Sequence, residues 1–132
     1  MSHLLFIRDE SKIPPNLREI FSAPEDRIII KASPEEVLTA LERGAFDVVV
    51  IYADRGEASL RRNLRLVRER QPEVFLLVLA PEYSVSGETT AFDEGADFYF
   101  ADPFPVRSLI RLIRSPRQAT VERQTSPSIL PK

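Results

Sequence analysis

The segment FDEGADFYFADPF, residues 92–104, fixes the end of one helix and the position of one strand. Gly95 is a typical helix stop, so we expect a helix over residues 85–94. The letters DFYF, residues 97–100, form a short apolar run of the kind that makes a buried strand. The helix before them has a weak apolar face made of Val85, Thr89 and Phe92. A helix that leads at once into a strand is one unit of an alternating α/β fold.

Further apolar runs of similar length recur along the chain. They are HLLFI (3–7), RIIIK (27–31), DVVVIY (47–52) and VFLLVL (74–79). Each run is continuous rather than alternating, which is typical of parallel strands covered by helices on both faces. Together with residues 97–100, the sequence predicts five strands.

Helical patterns fill the intervals between these runs. The clearest has Ser33 as its cap, Pro34 at the first helical position, Glu36 three residues after the cap and Gly44 at its end. The other apolar stripes consist of Leu17, Ile20 and Phe21, of Leu60, Leu64 and Val67, and of Val106, Leu109, Ile110 and Ile113. Five strands alternating with five helices predict an α/β fold with a doubly wound parallel sheet and right-handed crossovers.

The composition excludes several classes of function. The 132 residues suit one domain, and a net charge of −2 gives no overall attraction to nucleic acid or to an anionic membrane. The chain has no cysteine and one histidine, His3, which excludes disulfides, thiolate chemistry and a histidine-based triad. The run LLFI is too short for a signal peptide or a membrane span, so we expect a cytoplasmic protein.

Two regions of the chain differ in character. Residues 1–114 contain all the periodic segments and form the predicted domain. Residues 115–132 contain three prolines, several polar residues and no apolar periodicity, which is typical of a flexible linker. We interpret this tail as a connection to an output domain.

Segment 92–104 resembles the end of receiver domains in bacterial two-component response regulators, which is close to EAGADDYLVKPF. The matching residues are Gly95, Ala96, Asp97, Tyr99, Pro103 and Phe104. The opening LLFIRDES resembles that family's ILIVDDE, and FDVVVIY resembles PDLVLLD. The likeness covers residues 3–114 and implies a flavodoxin-like sheet of strand order 2-1-3-4-5. It also implies a site at the carboxyl ends of the strands.

The resemblance implies a phosphorylation site from which this chain departs. Tyr52 stands where the family has its phosphorylated aspartate, Leu79 where it has a hydroxyl residue, and Asp102 where it has a lysine. A phenol does not replace a carboxylate in acyl phosphate formation. The leucine cannot donate a hydrogen bond to a phosphoryl oxygen, and the aspartate would repel one. We therefore expect this chain not to be an enzyme.

The metal site that the resemblance implies is altered as well. The family holds Mg²⁺ with a pair of acids after the first strand, and here Arg8 replaces the first acid while Asp9 and Glu10 remain acidic. A cation at this position opposes metal binding, so we expect no metal and no cofactor. Arg8 and Asp102 face one pocket in the family fold, and we expect an ion pair between them.

The function that we expect is phosphorylation-independent signalling by protein–protein interaction or dimerisation. In the family, signals pass through the surface formed by the fourth helix, the fifth strand and the fifth helix. We expect this surface to carry at least one exposed ring of the fifth strand and to have Tyr99, Phe100, Arg107 and Arg111 near its centre. Its charges are segregated, with acidic Glu88, Asp93, Glu94 and Asp97 and basic Arg107, Arg111 and Arg114.

Other functions stay open at this point. Asp54, two residues after Tyr52, is an alternative phosphoacceptor in a genuine response regulator. An outward row of arginines is an alternative site for nucleic acid, although we favour a solvated helix face. The row consists of Arg61, Arg62, Arg65 and Arg68. A flavodoxin-like cofactor site is disfavoured because RDESKIPP, after the first strand, contains no glycine.

Overall fold

The strands of the protein form one parallel sheet. The computed structural model describes residues 3–7, 27–31 and 33–114. Within them the strands are β1 (His3–Ile7), β2 (Arg27–Lys31), β3 (Val48–Tyr52), β4 (Phe75–Ala80) and β5 (Phe98–Ala101). Their order is β2-β1-β3-β4-β5, and every neighbouring pair is parallel. The predicted parallel sheet is confirmed, in the predicted strand order.

Four helices are described in the same residues. They are α1 (Pro34–Arg43), α2 (Glu57–Arg70), α3 (Val85–Asp93) and α4 (Val106–Arg114). The first of the five predicted helices, with Leu17, Ile20 and Phe21, lies outside the described residues, and so does the predicted tail. The start predicted for α1 is confirmed, because the Ser33 hydroxyl accepts from Glu36 N at 3.2 Å and the Glu36 carboxylate accepts from Ser33 N at 3.4 Å.

The core lies on both faces of the sheet. On one face, Val49 and Ile51 of β3 pack among buried residues of α1, α2 and α3. On the other face, Val48 and Val50 pack with Leu109 and other residues of α4. Alternate side chains of a strand point to opposite faces, so β3 and β4 serve both halves of the core. This arrangement explains why their apolar runs are continuous.

Helix α3 faces the sheet with small side chains, which differs from the predicted orientation. Its buried residues are Gly87, Thr90 and Ala91. The apolar stripe that we expected to mark the packed face points to solvent instead, since Val85 is 68% and Phe92 is 38% exposed. A close approach explains the difference, because a Cβ on Gly87 would lie 3.3 Å from the Tyr99 hydroxyl.

Arg68 joins α2 to the amino edge of the sheet. Its Nε and Nη2 donate to the carbonyl of Gly95 at 2.9 and 2.7 Å, and its Nη1 donates to Val74 O at 2.7 Å and to Pro72 O at 3.0 Å. Nη2 also donates to Asp97 Oδ2 at 3.1 Å. These five contacts use the whole hydrogen-bonding capacity of a guanidinium group.

The same network fixes the start of β5. The carboxylate of Asp97 also accepts from Leu76 N at 2.9 Å, and Asp97 N donates to Leu76 O at 2.8 Å. Gly95 has a positive φ of 100°, and a Cβ at this position would lie 3.1 Å from Arg68 Nε. The turn between α3 and β5 therefore requires a glycine and ends against Arg68.

We predict that Arg68→Met lowers the free energy of unfolding by about 2–3 kcal/mol, because the charge-assisted bonds to three carbonyls and Asp97 are lost together. Urea unfolding measures the change. Arg62→Met is the matched control, because Arg62 is exposed on the same helix, and it should change stability by less than about 0.5 kcal/mol. Equal effects of the two substitutions would contradict the role assigned to Arg68.

Candidate functional site at the carboxyl edge of the sheet

The ends of β3 and β4 hold core side chains. Tyr52 is the last residue of β3 and lies in register with Leu79 of β4. Leu79 is 1% exposed and belongs to the core on the α4 side. Tyr52 is half-buried against the same core, with its ring edge-on to Phe104 at 6.5 Å between centroids. The two positions at which the resemblance implies a phosphorylated aspartate and a hydroxyl residue therefore contribute to packing here.

The described carboxylates of this edge lie on the loops that follow. Asp54 is exposed and its backbone N donates to Tyr52 O at 3.2 Å. Asp102 is exposed and its N donates to Ala80 O at 3.0 Å, just before a cis peptide bond to Pro103. Among the described residues no group of three or more acidic or histidine side chains could hold a metal ion.

Three predicted residues of this site, Arg8, Asp9 and Glu10, lie outside the described residues. The pairing of Arg8 with Asp102 therefore stays a prediction. The expectation that Asp9 and Glu10 remain as acidic residues of the family's Mg²⁺ site also stays a prediction.

A depression of about 360 Å³ lies between the loops that follow β3 and β4. Its described lining includes the carboxylates of Asp54, Glu57 and Glu82 and the rings of Tyr83 and Tyr99. None of the described residues that line it is basic. The described part of its lining is therefore acidic and aromatic.

Tyr99 lies in the core, which corrects its placement on an exposed surface. Its side chain is 8% exposed and packs with the α1–α3 side of the sheet. Its hydroxyl accepts from Ser84 N at 3.3 Å, and its ring lies edge-on to Tyr83 at 6.2 Å. Burial, the largest cause, raises the pKa of Tyr99. The ring therefore points inward and is bonded through its hydroxyl to the loop before α3.

The neighbouring rings of β5 point to the other face of the sheet. Phe98 and Phe100 stack with 5.9 Å between centroids and 8° between planes, half-buried against α4. The period of two along a strand separates them from Tyr99. The most exposed ring near this surface is that of Tyr83, at 56%. It precedes α3 rather than belonging to β5.

Two of the four acidic residues expected on this surface, Glu94 and Asp97, are paired with arginines of α2. Glu94 accepts from Arg65 Nε and Nη2, both at 2.9 Å, and lies 3.5 Å from Arg61 Nε. The hydrogen bond from Arg65 holds the pKa of Glu94 below its ordinary value. Asp97 contacts Arg68 in the same way. Both carboxylates thus face α2, and the expected charge segregation is reduced to Glu88 and Asp93 against the arginines of α4.

The arginine row of α2 is not a free basic surface. Arg61 and Arg65 contact Glu94, and Arg68 is half-buried in its carbonyl network. Arg62 is exposed and donates to Ser59 Oγ at 3.4 Å. The outward direction predicted for the row is therefore wrong at Arg68, because the backbone carbonyls at the amino edge of the sheet attract its guanidinium group.

Several residues of this region were not singled out from the sequence. Ser84 caps α3 by accepting from Gly87 N at 3.0 Å, and Tyr83 donates to Glu88 Oε1 at 2.6 Å. A serine three residues before a glycine is a weak cap signal, and it was available in YSVSGE, residues 83–88. The hydrogen bond from Ser84 N to the Tyr99 hydroxyl could not be predicted from the sequence, because it depends on the tertiary fold.

Comparisons with known proteins agree with this fold. No family model matches the sequence. An uncharacterised transcriptional regulatory protein, YkoG of Bacillus subtilis (strain 168), is 26% identical over 113 residues, which are 86% of this chain and 50% of the relative. The chain thus spans about half the length of this curated relative.

Solved structures give the same result. A CheY-like response regulator receiver domain protein from Methanospirillum hungatei JF-1 has a TM-score of 0.76 at 17% identity, over 93% of this chain and 98% of that one. An atypical orphan response regulator, described with a phosphorylation-independent regulatory mechanism, has a TM-score of 0.66 at 20% identity over 86% and 92%. The chain therefore has the fold of response regulator receiver domains.

None of the described helices combines the length and the apolar character needed to cross a bilayer.

We predict that Glu94→Gln lowers the melting temperature at neutral pH and that the difference disappears in acid. The pKa of Glu94 is held below 4.5, its ordinary value, so its contribution to stability is present above that pH. The contribution is lost as the pH falls through the lowered pKa of the folded state. Thermal melts at a series of pH values measure it.

Asp93→Asn is the matched control for this series, because Asp93 is the exposed neighbour of Glu94. It should change the melting temperature little at neutral pH. A Glu94→Gln deficit that is constant from neutral to acid pH would contradict the ion pair as its cause.

Proposed function

We propose that this chain is a receiver-like signalling module that works without phosphorylation. It acts in the cytoplasm through protein–protein contact and controls an attached or partner output domain. The single observation that carries the proposal is Tyr52, a half-buried ring packed on Phe104 where β3 meets the functional edge. Receiver chemistry, which the resemblance places at this position, needs a carboxylate there.

The surroundings of Tyr52 support the proposal. A phenol is not a carboxylate, so its phosphorylation is not acyl phosphate chemistry. Leu79 presents no hydroxyl group in the buried position beside it. The described lining of the nearby depression is acidic and aromatic, so among the described residues it offers an incoming phosphoryl group no cationic partner. Each feature alone would impair the reaction, and together they oppose every step of it.

The proposed contact surface is the one expected from the resemblance. Its fourth and fifth predicted helices are α3 and α4 of the described residues. We call it the α3–β5–α4 surface, defined as the outward faces of α3 and α4 with the edge of β5 between them. On α3, Val85 and Phe92 expose apolar area in spite of the cost of such exposure in water. On α4, Arg107 and Arg111 are exposed, and Phe100 of β5 is half-buried. Aromatic and arginine side chains are frequent anchors of protein interfaces.

The charges of this surface are complementary to those of the same surface on a second copy of the chain. Asp93 on α3 is exposed and Glu88 is half-buried, while α4 carries Arg107 and Arg111. A two-fold axis would set α3 of each copy against α4 of the other, with acid against base in both halves. The remaining charge is modest because Glu94 and Asp97 face α2, so we propose weak self-association that an output domain strengthens.

The relatives are compatible with this role. YkoG is described as a transcriptional regulatory protein, and the chain matches about half of its length. The atypical orphan regulator is described with a phosphorylation-independent mechanism. We propose by analogy that this chain controls an output function in a comparable way.

We predict that incubation with acetyl phosphate and Mg²⁺ leaves the intact mass of the chain unchanged, because no carboxylate stands at the end of β3. Mass spectrometry of the whole protein measures the result. A receiver domain that retains its acceptor aspartate, treated in parallel, is the positive control.

Asp54→Asn separates the alternative phosphoacceptor from other sites. A mass gain of one phosphoryl group in the wild type that is absent in Asp54→Asn would establish a genuine response regulator that uses Asp54. A gain that persists in the variant would also contradict the proposal and would place the acceptor elsewhere.

We further predict that Arg111→Glu weakens self-association, because it puts like charges together across the two-fold axis. Sedimentation equilibrium over a concentration series should show a dissociation constant raised about fivefold or more, which corresponds to about 1 kcal/mol. Arg62→Glu, at an exposed position of α2, is the matched control. Equal behaviour of wild type, Arg111→Glu and Arg62→Glu would exclude the α3–β5–α4 surface as the contact between copies.

A further inference from the structure

The amino end of α3 is tied to β5 through the hydroxyl group of Tyr99. Ser84 caps the helix with its side chain, while its backbone N donates to the Tyr99 hydroxyl at 3.3 Å. Gly87 allows this approach, since a Cβ there would lie 3.3 Å from the same hydroxyl. Tyr83 covers the contact with its ring edge-on to Tyr99, and its own hydroxyl donates to Glu88 on the first turn.

The carboxyl end of α3 is tied to α2 by charge. Glu94, the residue after the helix, accepts two hydrogen bonds from Arg65 in the fork geometry that guanidinium and carboxylate groups favour. The next residue, Gly95, accepts two more from Arg68. The Glu94 carboxylate and the Gly95 carbonyl, which follow the helix, thus accept hydrogen bonds from two arginines of α2.

The two ties lie at opposite ends of a short helix. Helix α3 has nine residues, so its ends are about 13 Å apart along the axis at 1.5 Å per residue. Between the ties, Thr90 and Ala91 are buried against the sheet, while Val85 and Phe92 are exposed on the far side. A shift or rotation of α3 that changed its exposed side would have to break at least one tie.

We propose that these two ties hold α3 in one position and so keep the α3–β5–α4 surface permanently in its binding arrangement. The inference rests on the proposed function, in which that surface acts without phosphorylation, and it adds the physical reason for constant activity. The tie to Tyr99 uses a hydroxyl whose position is set by a ring packed in the core. At the other end, Glu94 is bound to Arg65 of α2, and Arg68 anchors α2 to the sheet.

Hydrogen–deuterium exchange of the whole chain tests the proposal. In peptides that cover residues 85–94, Tyr99→Phe should accelerate exchange about two- to tenfold, because Ser84 N loses its partner without loss of ring packing. Arg65→Gln should accelerate it by a similar factor from the other end. Because the sites are distant and share no partner, the double variant should show about the product of the two factors.

Arg62→Gln is the matched control, because it removes an exposed arginine from α2 without touching α3, and it should leave exchange in these peptides unchanged. If Tyr99→Phe and Arg65→Gln also leave it unchanged, the ties do not restrain the helix and the inference fails.

The mass measurement with acetyl phosphate separates this inference from the proposed function. If the mass is unchanged and the variants do not exchange faster in residues 85–94, the inference about the two ties is wrong and the proposed function is unaffected. A mass gain in the wild type overturns the proposed function, and faster exchange in residues 85–94 of the phosphorylated protein would overturn the permanent arrangement with it.

Discussion

The guanidinium group of Arg68 is the contact on which the rest of the structure depends. It binds carbonyls before β4 and before β5 as well as the carboxylate of Asp97, and so sets the distance from α2 to the amino edge of the sheet. Gly95 has the left-handed backbone that this contact requires. With that edge fixed, the C-terminal end of α3 and the start of β5 have definite places. The surface proposed for binding is built on those two elements.

The sheet was predictable because its signals are local and redundant. Continuous apolar runs such as VFLLVL mark strands covered on both faces, and the Ser33 cap with Glu36 marks a helix start without tertiary information. The orientation of α3 was not predictable in this way. A stripe of Val85 and Phe92 indicates a packed face by periodicity, but close packing of Gly87 on the Tyr99 hydroxyl favoured the opposite face.

The packing of the candidate site could not be predicted from the sequence, and its chemistry stays a prediction from the resemblance. Alignment by resemblance identifies Tyr52 and Leu79 as departures from a phosphorylation site, and both prove to be packed against the core. The direction of individual charged groups depends on partners that are distant in sequence. Arg68 turns to Gly95, 27 residues away, and Arg65 turns to Glu94, 29 residues away. Charge counts along α2 and α3 therefore overstate the free charge of their surfaces.

Replacement of a reactive edge by a packed one is the central claim, and NMR titration tests it most directly. Amide spectra of the chain would be recorded with Mg²⁺ and then with beryllofluoride, which imitates a phosphoryl group on an aspartate. The account predicts no saturable shifts at Tyr52, Asp54, Leu79 or Asp102, and none along α3. Saturable shifts at the end of β3 that extend into α3 would show a working phosphorylation switch and would contradict it.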